Sequence, residues 1–216
     1  MYYIGFIRCV LLLTMEYFHS TKQNIFSHAY PSSFEVEGLK FNCMDQFLAY
    51  YKALFFGDTK TAKLVMKTKK ACMQKSLVRA LGQRSPTTWL RRALPLVYWG
   101  NVAKFRQNPK LLTSLIETRG KLLCQVSPHD FIWSTGRSMS KLRANSKYSG
   151  ANCMGHVLTQ VREDLMKERG IHSNYKLEWT IDTLESHPAV QRNIKSLLGR
   201  NEAYCDEQAE VDDWFL

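Results

Sequence analysis

Residues 42–58 read NCMDQFLAYYKALFFGD. Phe47, Leu48, Tyr51, Leu54 and Phe55 recur at helical spacing, so the stretch reads as a helix rather than a strand. Asn42 suits an N-cap, with Asp45 three residues on as a shortened capping box. Gly57 suits a stop. Asp45 and Lys52 stand seven residues apart, which puts both on one face, roughly 10 Å apart along the axis. Small Ala49 lies between them. An acid, a gap and an amine on one helix face can floor a substrate site. The plainer alternative, which the spacing alone favours, is a core helix with an exposed acid and an exposed lysine.

Before this helix, residues 15–41 read as extended. EVEGLKF is a short hairpin with Gly38 in its turn. FSHAYPSSF carries too many small and polar residues for a strand alone. A loop facing a pocket would suit Ser27, His28 and Tyr30; the alternative is an ordinary surface loop. The first residues, MYYIGFIRCVLLLT, are too short an apolar run to span a bilayer. The uncharged start, the interruption at Arg8 and the lack of a small-x-small site argue against a signal peptide. A buried first strand or an extension is expected instead.

After the helix, residues 59–81 carry two further helical patterns, with Lys60, Lys63, Lys67 and Lys70 on one solvated face opposite Leu64 and Val65. The other use of that face is to steer an anionic ligand. Gly82–Pro86 breaks the chain, with Ser85 as a cap and Pro86 at the first helical position. The next helix carries Pro95 as a kink or restart. NPKLLTSLIET is another, with Leu111, Leu112, Leu115 and Ile116 on its buried stripe. KLLCQVS, residues 121–127, is a buried strand, and PHDFIWSTG is a tight loop of the kind that carries function. RSMSKLRANSKYS reads as a long mobile loop. GANCMGHVLTQVREDLMKERG is a helix with Met154, Val157, Leu158, Val161 and Leu165 inward. Gly150 and Asn152 at its start offer N–H groups to a phosphate, or serve as simple caps. Pro188–Leu198 suits a last helix, and the acidic run from Glu202 to Asp213 with the end WFL a tail docked by Trp214 and Phe215 if at all.

The chain has 216 residues, 45% hydrophobic, with a formal charge of +11. It can bury a sizeable core, and its charge favours anionic partners. The six cysteines are widely spread, with no C-x-x-C pair and no histidine cluster, so no metal site is expected. Scattered thiols suggest a reduced, cytoplasmic or nuclear setting. There is no Walker loop, Rossmann glycine pattern, HExxH or nucleophile elbow.

In order, FSHAYPSSF, MDQFLAYYKALFFGD, Trp89, NVAKFRQNPKLLTSLIET, LLCQVSPHDFIWSTG and GANCMGHVLTQVREDL resemble the NADAR (YbiA-like) domain family, over about residues 27–168. The resemblance implies an α+β, mainly helical fold: a single compact domain over 15–170 with a few short strands. Residues 1–14 would be an extension or first strand, and 171–216 a C-terminal extension with an acidic tail. It also implies an N-glycosidase that breaks a ribose C1′–N bond of an ADP-ribosylated or phosphoribosylated base. The expected partner is an ADP-ribose-type nucleotide or ADP-ribosylated guanine, with nucleic acid as a carrier of the modification, no membrane and no cofactor.

Carried over motif by motif, the resemblance implies pocket positions Asp45, Lys52, Trp89, Lys104, Asn108, Gln125, Asp130, Trp133, Asn152 and Gly155. Lys52, Asp45 and Asp130 are the catalytic candidates. A carboxylate stabilises oxocarbenium character at C1′, and a desolvated lysine can attack C1′ and carry the sugar as a Schiff base. Lys104 beside Lys52 would lower its pKa. Trp89 and Trp133 offer flat faces. The chain departs from the family pattern at Asp45 and Gln125, each replacing a glutamate, at His28 for asparagine, at Ser134 for glycine, and at Tyr148 for tryptophan. Neutral Gln125 cannot offset a cationic transition state, so the alternative is a non-catalytic ADP-ribose or nucleotide binder. A nucleic-acid binder relying on net charge is weakened because no aromatic stripe interleaves the lysines.

Overall fold

The structure, a computed structural model, describes residues 14–82, 86–144, 147–173 and 175–203. The readings of residues 1–13, Ser85 and the acidic tail lie outside the described residues. In chain order the elements are β1 (Thr14–Phe18), β2 (Phe34–Val36), β3 (Leu39–Phe41), α1 (Met44–Phe55), α2 (Thr59–Lys67), α3 (Ala71–Leu77), α4 (Arg79–Gly82), α5 (Pro86–Gln107), α6 (Pro109–Glu117), β4 (Lys121–Gln125), α7 (Met139–Arg143), α8 (Cys153–Glu168) and α9 (Pro188–Ala203). The fold is α+β and mainly helical, a single compact domain.

Strand β4 is almost continuously apolar, and it is buried from Leu122 to Gln125. Such a strand needs cover on both faces. It pairs in parallel with β1, Phe18 lying opposite Gln125, and α8 packs across it. Met154, Val157, Leu158, Val161 and Leu165 of α8 are all at most 1% exposed, as their spacing predicts. Gly155 makes this contact possible: a Cβ there would collide with the carbonyl oxygen of Leu123. β2 and β3 form the expected hairpin, with Glu37 and Gly38 at positive φ in its turn.

Helix α1 packs against α2, α3 and α5. Gly100 of α5 lets α1 approach, since a Cβ there would lie 2.7 Å from Met44 and Phe47 side-chain carbons. Three sequence expectations change here. The N-cap is Cys43 rather than Asn42; Gln46 reaches back to accept the Asn42 N–H at 2.7 Å, so the box closes through Gln46 and not Asp45. The inward face is not the apolar stripe alone: Phe47 is 2% exposed, but Leu54 and Phe55 at the end of the stripe are 37% and 40% exposed, while Asp45 and Lys52 are 5% and 2% exposed. Helix α5 runs unbroken through Pro95, with no restart.

The supposed long loop after residue 136 contains α7, anchored by buried Leu142. The C-terminal segment joins the main core, because Leu184, Ala189, Val190 and Ile194 belong to its hydrophobic cluster. No helix among the described residues is long and apolar enough to cross a membrane.

Candidate functional site

A cavity of about 170 Å³ opens between α1, α3, α5 and the end of β4. A dry cavity of about 150 Å³ holds one benzene-sized ring, so this one suits a single sugar or base ring. Helix α1 contributes Asp45, Leu48, Ala49 and Lys52 to its wall. The acid, gap and amine of residues 45–52 therefore do face one space. Opposite them stand Gln125 and Ser127 at the end of β4, and Asp130 and Trp133 in the loop that follows. Trp89, Ala93 and Val97 of α5 and Met154 of α8 supply the apolar part, and His28 enters from the loop before β2.

Burial controls the electrostatics. It raises the Asp45 carboxyl above its ordinary value, while Lys75 and Lys104 pull it back. Lys75, which also lines the cavity, holds its ammonium 3.9 Å from Asp45. Asp130 is pushed up to about 6 by burial, against the backbone N–H groups that favour its charge. Its Oδ1 accepts from Ile132 N at 3.1 Å and Trp133 N at 2.8 Å. Burial drives His28 well below 6.5, helped by Lys104 and Lys75, so the ring is neutral. The Lys52 ammonium lies 5.7 Å from the Trp89 ring centroid, within cation–π range. Trp89 is only 6% exposed and is flanked by Phe55 and Phe56 at 5.8 and 6.4 Å between centroids.

The remaining sequence candidates lie off this wall. Lys104 donates to the carbonyls of Ile25 and Ser27 at 2.7 and 3.1 Å. Burial lowers it to about 7, and the charges acting on it belong to Cys43 and Asp45. It ties the 25–27 loop to α5 rather than standing in the cavity. The Ser27 hydroxyl accepts from Ala29 N, and Tyr30 packs 5.8 Å from the Lys104 ammonium. Asn108 donates to Ser33 O and Lys104 O.

Asn152 spans β4, accepting from Gln125 N at 3.0 Å and donating to Leu123 O at 2.9 Å. The expected phosphate site at the start of α8 is overturned by its neighbours. The N–H groups of Gly150, Ala151, Asn152, Cys153 and Met154 all donate to carbonyls of residues 131–135. A ligand would have to displace that loop.

Sequence reasoning missed Lys75, because α3 carries no signal of which lysine turns inward. It also missed the link between Gln125 and Ser134, whose side chains meet at 2.6 Å.

Against known proteins, the NADAR domain matches residues 17–166. An N-glycosidase of Acanthamoeba polyphaga mimivirus is 33% identical over 160 residues, 68% of this chain and 94% of that protein. Protein irg-1 of Caenorhabditis elegans is 32% identical over 168 residues, 69% of this chain and 79% of that protein. The NMR structure of the E. coli protein YbiA aligns with a TM-score of 0.58 at 20% identity, covering 75% of this chain and 90% of that one. That likeness establishes the fold.

Proposed function

This chain belongs to the NADAR domain family, and we propose that it is an N-glycosidase that cleaves the C1′–N bond of a ribosylated base. The observation that carries this reading is the convergence of Asp45, Lys52 and Asp130 on one ring-sized cavity. The mimivirus N-glycosidase supports the reaction class. The proposed substrate is an ADP-ribosylated or phosphoribosylated base, with the ribose inside and the phosphates towards Lys75 at the mouth.

In this reading the Lys52 amine attacks C1′, and the C1′–N bond electrons leave with the base. Asp130, protonated in part near neutrality, gives the leaving nitrogen its proton. The C1′–O4′ bond then breaks as a proton passes from the Lys52 nitrogen to O4′, opening the ribose and leaving a protonated Schiff base on Lys52, its positive charge near the Asp45 carboxyl. Water, losing its proton to Asp130, hydrolyses the Schiff base and frees the sugar and the amine.

Incubation with ADP-ribosylated guanosine and borohydride tests this. A reduced adduct forms on wild-type protein, and Lys52→Ala loses the adduct and turnover, the latter by roughly 10²-fold or more. Turnover that survives Lys52→Ala would exclude the lysine route and leave Asp45 or Asp130 to stabilise the cation directly.

The neutral Gln125 amide on the cavity wall favours a second reading, a non-catalytic nucleotide binder. Calorimetric ADP-ribose binding with neither adduct nor base release would support that reading instead.

A further inference from the structure

Gln125, Ser134 and Asp130 form one hydrogen-bonded chain. Gln125 Nε2 stands 2.6 Å from Ser134 Oγ, which stands 3.3 Å from Asp130 Oδ2. Ser134 is fully buried, and Gln125 and Asp130 are 8% and 5% exposed on the cavity wall. Proton counting fixes the direction. Ionised Asp130 has no proton to give, so the single Ser134 proton must point to Oδ2. The Ser134 oxygen then accepts from the Gln125 amide. Turning that amide over would set its oxygen against Ser134 and take the same proton, stranding Oδ2. Oδ1 is already filled by two backbone N–H groups, so proton exchange falls to Oδ2.

We infer that Ser134 and Gln125 are positioning residues that make Asp130 the proton-exchanging group of this cavity. The role in catalysis rests on the N-glycosidase reading; the control of Asp130 does not. A glutamate at 125 would compete for the Ser134 proton and place a like charge one hydroxyl away, so the two acids would titrate as a coupled pair. The other groups facing this wall are Asp45 and Lys52 on α1, Lys75 on α3 and neutral His28. On α8, the Cys153 thiol is raised by burial and by Asp130. None of these is among the causes that move Asp130, which are burial and its own hydrogen bonds.

The test is carbon-13 carboxyl NMR of aspartate-labelled full chain, with the Asp130 signal assigned by Asp130→Asn. The wild-type midpoint is expected near pH 6. Ser134→Ala raises it by a fraction of a unit, because the carboxylate loses a donor. Gln125→Glu raises it by roughly one unit or more and makes the titration two-step. Should Ser134→Ala fail to fold, Ser134→Gly removes the same hydroxyl without adding atoms. A midpoint near 4, or one that none of these variants moves, overturns the inference. The acid–base limb of base release from ADP-ribosylated guanosine follows the NMR midpoint in each variant. Absence of turnover with an intact NMR response would sink the N-glycosidase reading while upholding the positioning role.

Discussion

The 45–52 face of α1 and the start of α8 both look like ligand sites in sequence, and they end in opposite roles. At α1 the polar side chains of Asp45 and Lys52 reach a cavity wall. At α8 the polar groups of Asn152 and the first N–H groups are consumed by β4 and by the loop of residues 131–135. Burial alone does not separate the two, since Asn152 is as buried as Lys52. What separates them is the cavity: Asp45 and Lys52 line it, whereas Asn152 lies off it with its amide bonded to the β4 backbone.

The sharpest way to break this contrast is Gly155→Ala. An alanine inside a helix ordinarily adds about 1 kcal/mol of stability over glycine. Here the new methyl would meet the Leu123 carbonyl oxygen, so α8 must lift from β4. The expected result in urea unfolding is a loss of about 3 kcal/mol or more, or no folded protein. A neutral or stabilising outcome would show that the α8–β4 contact has slack.

The next largest effects come as a pair. Asn152→Ala leaves Gln125 N and Leu123 O unpaired and is expected to cost about 2–3 kcal/mol of stability. Asp45→Asn is expected to cost turnover by roughly 10²-fold with little loss of stability. Its stability effect also carries a pH signature. Burial raises Asp45 above its ordinary 3.8, so its stabilising contribution is full below the unfolded pKa and is lost as pH rises through the folded one. Asp45→Asn should therefore gain on wild type as pH rises above about 4. Thermal unfolding across that range checks the sign, and a gap that narrows with pH would mean that Lys75 outweighs burial.

The smallest effect is expected at Lys75→Gln. The lysine is 57% exposed, so its pull on a phosphate is screened. A rise in KM of a few-fold at low salt, vanishing at high salt, is the expected kinetic result. A salt-independent change would mean that Lys75 acts by orienting Asp45 instead.

Much of the framework can be read from the chain alone. The α8 stripe, the apolar β4 run and the EVEGLKF hairpin follow local rules of period and turn chemistry, and all three stand as expected. Helix α1 is the helix its spacing predicts, yet its inward side carries Asp45 and Lys52 beside Phe47. Period 3.6 reveals which residues share a face but not what covers it. The exposed pair Leu54 and Phe55 and the buried pair Asp45 and Lys52 reverse the usual preference, because α2, α3 and α5 close over the polar side.

What the sequence by itself determined is therefore the order and kind of the elements, and the family motifs they carry. The tertiary structure alone decided which motif residues meet. Lys104, Asn108, Asn152 and Gly155 sit in family motifs just as Lys52 and Asp130 do, but their partners are carbonyls, amides and close-packed backbone. Lys75 joined the cavity for the same reason. Hydrogen-bond partners and cavity walls are set by contacts between residues far apart in the chain, and local pattern carries no term for them.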